Sequence, residues 1–255
     1  MDNPHGNRSQ IAAQRLRQMI VAGDLLPGQR ISERIIRDQL DGLSRTPLRE
    51  AFKILAAEGL LTIAPNKGAS VTALTVKEVE DAIEFLIGLE GFAAIPACER
   101  IAPEALAEIE ALHEKMLEAY RGEALMRYFE LNQAIHQRIV DAAGNSVLSR
   151  IYAAECARIR RYRFAGNHRH ERWDRAVAEH ERILDALRER NGPLLRELFR
   201  AHHLNGWKVS RNFVSMPEGT PDASSARPEK ALRTEKQHAG SASFPDWPAE
   251  NRRET

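Results

Sequence analysis

Asn132 and His136, four apart in YFELNQAIHQRIVDAAGN, project from one face of a helix, one turn from each other. His180 stands among Val177, Ile183, Leu184 and Leu187 in AVAEHERILDAL, on or near an apolar face. Further on, Leu195, Leu198 and Phe199 mark an inward side that His202 joins, whereas His203 is expected to point about 100° away. Three histidines carried by three helices can therefore converge. Neutral imidazoles on rigid facing helices suit Zn²⁺, Ni²⁺ or Fe²⁺, and an added oxygen ligand would leave a position open to water or a carboxylate. The plainer alternative is a set of separate histidines, each hydrogen-bonded in the core or at the surface.

A second group with chemistry lies in GLSRTPLREAFKILAAEGLLTIAPNKGASV, residues 42–71. A helix is entered through Ser44-Arg45-Thr46-Pro47, with Thr46 or Ser44 as cap and Pro47 in the first turn. Leu48, Ala51, Phe52 and Leu55 share its inward face, so Arg45, Thr46 and Arg49 cluster at the exposed N-terminal end. Such groups can enter a DNA major groove, where the arginine fork takes O6 and N7 of guanine together or clamps a phosphate. A solvated basic face is the competing reading.

Enzymatic signatures are sparse. Glu110 and His113 form one E-x-x-H, and the other, Glu235 to His238, lies near the C-terminus, whereas a di-iron carboxylate bundle needs two such pairs and bridging glutamates on facing helices. P-loop, nucleophile-elbow and H-E-x-x-H patterns are missing, so no catalytic activity is expected. Cys98 and Cys156 have neither a C-x-x-C spacing nor a partner at metal-ligand spacing, and read as apolar thiols in a reducing compartment.

The elements that must position these residues follow from periodicity and punctuation. The chain has 255 residues, 43% hydrophobic and 6% aromatic, with a formal net charge of +1. It is long enough for one or two domains with a sizeable core. No apolar run approaches the roughly 18–20 residues that span a bilayer, and MDNPHGNRSQ lacks a basic-then-apolar leader, so a cytoplasmic, membrane-free protein is expected. Residues 1–77 hold eleven lysines and arginines against seven acidic residues, which concentrates there an excess that the whole chain lacks. Their pattern changes every ten to fifteen residues. A helix over 9–22 with Ile11, Leu16, Ile20 and Val21 on one side is followed by a short helix from Ser32 to about Leu40 with Ile35, Ile36 and Leu40 inward. The third helix then leads to two strands joined by Ala64-Pro65-Asn66-Lys67-Gly68. This is a winged helix-turn-helix order, assigned to residues 1–76. Residues 77–214 are nearly all helix, with segments expected at 76–99, 103–120, 123–143, 146–164, 171–190 and 193–212, and the short loops imply an all-α antiparallel helical bundle. Pro96 is expected to kink or end the first of them. Residues 215–255, rich in Ser, Pro, Ala and charge, read as a disordered tail.

The segment PGQRISERIIRDQLDGLSRTPLREAFKILAAEGLLTIAPNKGASV resembles the DNA-binding domain of the GntR family of bacterial transcription regulators. That family's pattern runs roughly P-G-x-x-L-x-E, then S-R-T-P-[VL]-R-E-A-[LF]-x-x-L-x-x-E-G-L, then P-N-x-G-x-x-V, and the likeness covers about residues 8–76. The helical remainder resembles the all-helical FCD-type effector domain of the FadR-like branch. The resemblance implies DNA contacts at Arg34, Arg45, Thr46 and Arg49, and at the wing tip through Asn66, Lys67 and Gly68. QLDGLSR is one residue longer than the family's usual turn between the second and third helices. The family's D-x-x-x-H pair with two further histidines matches Asn132, His136, His180 and His202. Asn in place of Asp offers a neutral oxygen, which lowers the expected affinity for a divalent transition metal (Zn, Ni or Fe). Leu86 stands where the family has an arginine before Leu89-Glu90, which removes one carboxylate anchor. Arg158 and Arg161, three apart on one helix face, are the candidate replacements, although a solvated basic face continued by Arg160 and Arg163 competes with that role. The implied function is a ligand-responsive regulator, a repressor acting as a homodimer on a short inverted repeat of double-stranded DNA, with a small carboxylate as effector. A DNA-binding architectural protein without ligand is the alternative class, and it leaves the inward histidines without a purpose.

Overall fold

Small residues set how closely the N-terminal helices pack. In α1 (Pro4–Ala22), Ala12, Ala13, Leu16, Ile20 and Val21 are buried, and the two alanines let its backbone approach α3 (Arg45–Ala57), which buries Pro47, Leu48, Ala51, Phe52 and Leu55. Between them lies α2 (Glu33–Gln39), capped by the Ser32 side chain, which accepts from the Ile35 amide. Two expectations fail here: Ile11 is 51% exposed and Ile35 is 50% exposed. The alanine face of α1 occupies the contact that Ile11 was assigned, and the seven-residue α2 turns Ile36 inward, with Leu40 buried at its C-cap. The long turn after α2 is absorbed locally. Gly42 adopts φ +73°, its amide donates to the Arg37 carbonyl, and Arg37 Nε donates to the Leu43 carbonyl.

The wing has one strand more than expected. β2 (Leu61–Ala64) and β3 (Gly68–Val71) form the hairpin, and β1 (Arg30–Ile31) adds to the free edge of β3, giving an antiparallel order β1-β3-β2 with Ile63 opposite Ala69 and Arg30 opposite Ser70. Arg30-Ile31 is too short to show an alternating pattern in sequence.

The computed structural model describes residues 4–40, 42–65, 68–166 and 170–214. The expected tail, 215–255, lies outside the described residues, as do Asn66 and Lys67. A second core fills the helical part, distinct from the one under α1–α3 and the sheet. It begins at α4 (Val76–Arg100), whose start is fixed by a capping box: the Glu78 amide donates to Thr75 Oγ1 and the Thr75 amide donates to the Glu78 carboxylate. Pro96 does not end this helix. Ala93, Ala94, Ala97 and Cys98 around it are all buried, and that packing outweighs a proline cost of about 3 kcal/mol. Next come α5 (Pro103–Arg121) and α6 (Leu125–Ala142), the latter starting after Glu123, which takes a left-handed φ of 53°. The helix expected over 146–164 is broken into α7 (Ser146–Arg158) and α8 (Arg160–Ala165) at the fully buried Ile159 (φ −100°, ψ 9°). α9 (His170–Arg188) and α10 (Gly192–Val214) complete the bundle, and α10 lies between α4 on one side and α9 on the other.

Candidate metal and effector site

The histidines of α6, α9 and α10 meet in the core. One ring nitrogen from each of His136, His180 and His202 lies within 4.8 Å of the others, and all three side chains are buried. Each ring has a defined neighbour. His136 Nδ1 and Glu90 Oε1 are 2.9 Å apart, His202 Nδ1 and Glu179 Oε2 2.8 Å, and His180 Nε2 and Asn132 Nδ2 2.6 Å. His136 Nε2 and His180 Nδ1 are left buried with no hydrogen-bond partner. Such atoms are costly in a core unless something accepts them, and a metal ion is one such acceptor. Burial, reinforced by the neighbouring His202 and His136, holds the His180 pKa well below the ordinary histidine value. Burial does the same for His202, helped by His136 and Arg172. Both therefore present the neutral imidazole that a metal requires. The Asn132 carbonyl oxygen accepts from Gln133 Nε2 at 3.1 Å, so the amide nitrogen faces His180, and a half-turn of the carboxamide would exchange them.

His203 does not point away. It is buried and its Nε2 sits 2.6 Å from Glu90 Oε2, because α10 is clasped between α4 and α9 and so has two inward sides. Glu90, fully buried in α4, also accepts from the Tyr152 hydroxyl. Burial alone would raise the Glu90 pKa, but His203 and His136 outweigh it and hold the carboxyl well below the usual range.

A cavity of about 40 Å³ opens beside the histidines. Asn132, Gln133, Arg163, Arg172, His202, His203 and Ser210 supply its polar lining, with Phe129 and Trp207 as apolar walls. It holds a few waters or a comparably small acid, since one water needs about 10–15 Å³ on this measure. Two guanidiniums face it under restraint. Arg163 Nη1 donates to Gln133 Oε1 at 2.6 Å, and Arg172 Nη1 to Glu179 Oε2 at 3.3 Å. Arg158 and Arg161 are elsewhere. Arg158 pairs with Glu155 at 2.6 Å and packs against Gly59, and Arg161 Nη1 donates to the carbonyls of Ile20 and Leu25. They tie α7 and α8 to the N-terminal unit, and their shared helix face is interrupted by the break at Ile159.

In the N-terminal part, Arg34, Arg45, Thr46 and Arg49 are all exposed on α2 and the first turns of α3. Ser44 is the α3 cap residue and makes no side-chain bond to the helix, which leaves first-turn amides open toward an anion. Arg49 Nε is 3.0 Å from Glu33 Oε1, which joins α2 to α3 across the surface. Gly68 begins β3 with φ +79°.

A family model described as bacterial regulatory proteins, gntR family, matches residues 8–71, and one described as FCD domain matches residues 81–205. The HTH-type transcriptional regulator YdhC of Bacillus subtilis is 32% identical over 197 residues, 73% of this chain and 84% of the relative. The chain belongs to the GntR family. Another relative, the HTH-type transcriptional repressor RspR of Escherichia coli, is 26% identical over 188 residues, 73% of this chain and 82% of its own length. The solved structure of E. coli McbR/YncC has the same fold, with a TM-score of 0.66 at 20% identity, covering 84% of this chain and 99% of that one. This GntR-family chain is thus a transcriptional regulator with a winged helix-turn-helix and an FCD effector-binding domain.

The sequence reading missed Glu90, Glu179, His203, Arg163 and Arg172. A usable signal existed for Glu90: it is the one charge in an inward stripe of Leu86, Ala93, Ala94 and Ala97 on α4. The adjacent pair His202-His203 was a second, since consecutive residues on a helix gripped from two sides can both face inward.

Proposed function

We propose that this GntR-family regulator is a cytoplasmic repressor whose operator affinity is set by a small organic acid bound in the helical domain beside a divalent transition metal. The observation that carries this reading is the convergence of His136, His180 and His202, with two bare buried ring nitrogens, next to a cavity that His202, Asn132 and two arginines line. His136, His180 and His202 would hold the ion, with the Asn132 carbonyl oxygen as fourth ligand after its half-turn. The ion would supply a Lewis-acid position for a carboxylate oxygen. Arg163 and Arg172 would clamp the rest of the acid, a role for which their geometry is better suited than that of Arg158 or Arg161. With an ion bound, Glu90 and Glu179 offset its two charges in formal terms, and Arg163 and Arg172 leave the site two positive, which selects an anion.

Arg45, Thr46 and Arg49 would read base edges in the major groove, with Arg34 on the flanking backbone and Asn66, Lys67 and Gly68 at the wing. A homodimer on a short inverted repeat fits this arrangement. Phe85, Phe92 and Ile95 form an exposed apolar stripe along α4 that supports pairing of two copies. The name of RspR supports repression over activation.

The test is a thermal-shift screen of small organic acids, run with and without Zn²⁺, together with elemental analysis of the purified protein. About one transition metal per chain is expected, bound as isolated or after loading, and acid stabilisation should require it. Absence of metal before and after loading, with acids stabilising equally well without it, would replace this reading by a metal-free acid site.

A further inference from the structure

Every ligand in the set proposed above is uncharged: three imidazoles and a carboxamide. A dication buried among neutral ligands is poorly compensated, and the chain must offset that charge from behind the ligands or bind the ion weakly. Two carboxylates stand in that position. Glu90, with no solvent exposure, meets His136 Nδ1 at 2.9 Å through Oε1 and His203 Nε2 at 2.6 Å through Oε2, with the Tyr152 hydroxyl donating as well. Glu179 meets His202 Nδ1 at 2.8 Å and also accepts from Arg172 and from Asn205 Nδ2. An ionised carboxylate can only accept, so each holds the imidazole proton on Nδ1 and leaves the lone pair on Nε2. In His136 that Nε2 is the buried atom with no partner.

We infer that Glu90 and Glu179 are positioning residues: they preset His136 and His202 as Nε2 metal ligands and supply through the imidazoles the negative charge that Asn132 does not. The inference rests on the metal reading of the three-histidine cluster. Glu90 should matter more, because Glu179 shares its charge with Arg172 while the close donors to Glu90 are two imidazoles and a phenol.

The experiment uses the full chain and Zn²⁺ alone. Affinity is read by competition with a chromophoric chelator for the wild type, Glu90→Gln, Glu179→Gln and His180→Ala, and imidazole tautomers are read by long-range ¹H–¹⁵N NMR of the metal-free protein. Glu90→Gln and Glu179→Gln should each weaken Zn²⁺ binding about 10–100-fold, with the larger loss at Glu90. Wild-type His136 and His202 should carry the proton on Nδ1, and each variant should shift the tautomer of its own histidine. Asn132→Asp should raise Zn²⁺ affinity by a larger factor in Glu90→Gln than in the wild type, whereas a purely structural role of Glu90 would give equal factors. Affinities of both glutamine variants within twofold of wild type, or a wild-type proton on Nε2 of both histidines, would overturn the inference. If the wild type binds Zn²⁺ no better than His180→Ala, the metal reading fails instead, and the tautomers alone then decide whether the two carboxylates position the rings. Should Glu90→Gln fail to fold, Glu179→Gln and the wild-type tautomers carry the same test.

Discussion

At the scale of single residues, the arginines proposed to contact DNA differ in how free they are. Arg45 is exposed on the first turn of α3, whereas Arg49 is exposed but engaged with Glu33 at 3.0 Å. An exposed pair of this kind contributes about 0–1 kcal/mol, little against a base contact, so Arg49 can exchange Glu33 for DNA. Arg45→Ala and Arg49→Ala should each weaken binding to DNA upstream of the protein's own gene by about 1–3 kcal/mol in a gel-shift titration. Unchanged affinity in both would end the assignment of α3 as recognition helix. Within the helical domain, His136, His180 and His202 were legible because each sits on an apolar face at helical spacing. The partners of those rings were not. Which carboxylate stands behind an imidazole depends on how α4, α6, α9 and α10 stack, and periodicity within one helix does not say which neighbour its inward residues meet.

Among the elements, α8 occupies the decisive place. Arg163 lines the cavity, while its neighbours turn the other way: Arg161 donates to the carbonyls of Ile20 and Leu25, and Tyr162 accepts from the Leu74 amide at 2.7 Å. Phe164 packs with Val21 of α1 and with Phe129, and Phe129 is itself a cavity wall. One short helix thus touches the cavity beside the histidines, the first helix and the segment leading into α4. Arg161→Ala should keep operator affinity and acid affinity near wild type while shrinking the effect of one on the other, measured by fluorescence anisotropy of labelled operator with and without acid. An undiminished effect would place the coupling elsewhere. Periodicity could not show α8 as a separate element, because the break at Ile159 comes from packing of a fully buried side chain rather than from Gly or Pro. The inward face of α3 and the β2–β3 hairpin were legible for the opposite reason: their turns and inward residues are encoded within about thirty contiguous residues, whereas the α3 cap, left open between Thr46 and Ser44, falls on Ser44.

For the whole molecule, the buried histidines make stability depend on pH. His180 and His202, and more mildly His203, have pKa values below the ordinary 6.5, chiefly through burial. Below about pH 6.5 the unfolded chain takes up protons that the folded chain refuses, so unfolding becomes easier as pH falls. The metal-free protein should therefore lose melting temperature between pH 7.5 and 5.5, and a flat profile would contradict the burial of these rings. Cutting after Met216 removes none of the described core, and should leave melting temperature and operator affinity nearly unchanged. An acid site in the helical domain and a DNA surface on α3 should act on each other. This coupling is measured as the dissociation constant for operator DNA of the Zn²⁺-loaded protein with and without the acid found by thermal shift, paired with the dissociation constant for that acid with and without operator. Acid should weaken operator binding by about 5–150-fold, and operator should weaken acid binding by the same factor. Operator affinity that no bound acid changes would contradict this coupling.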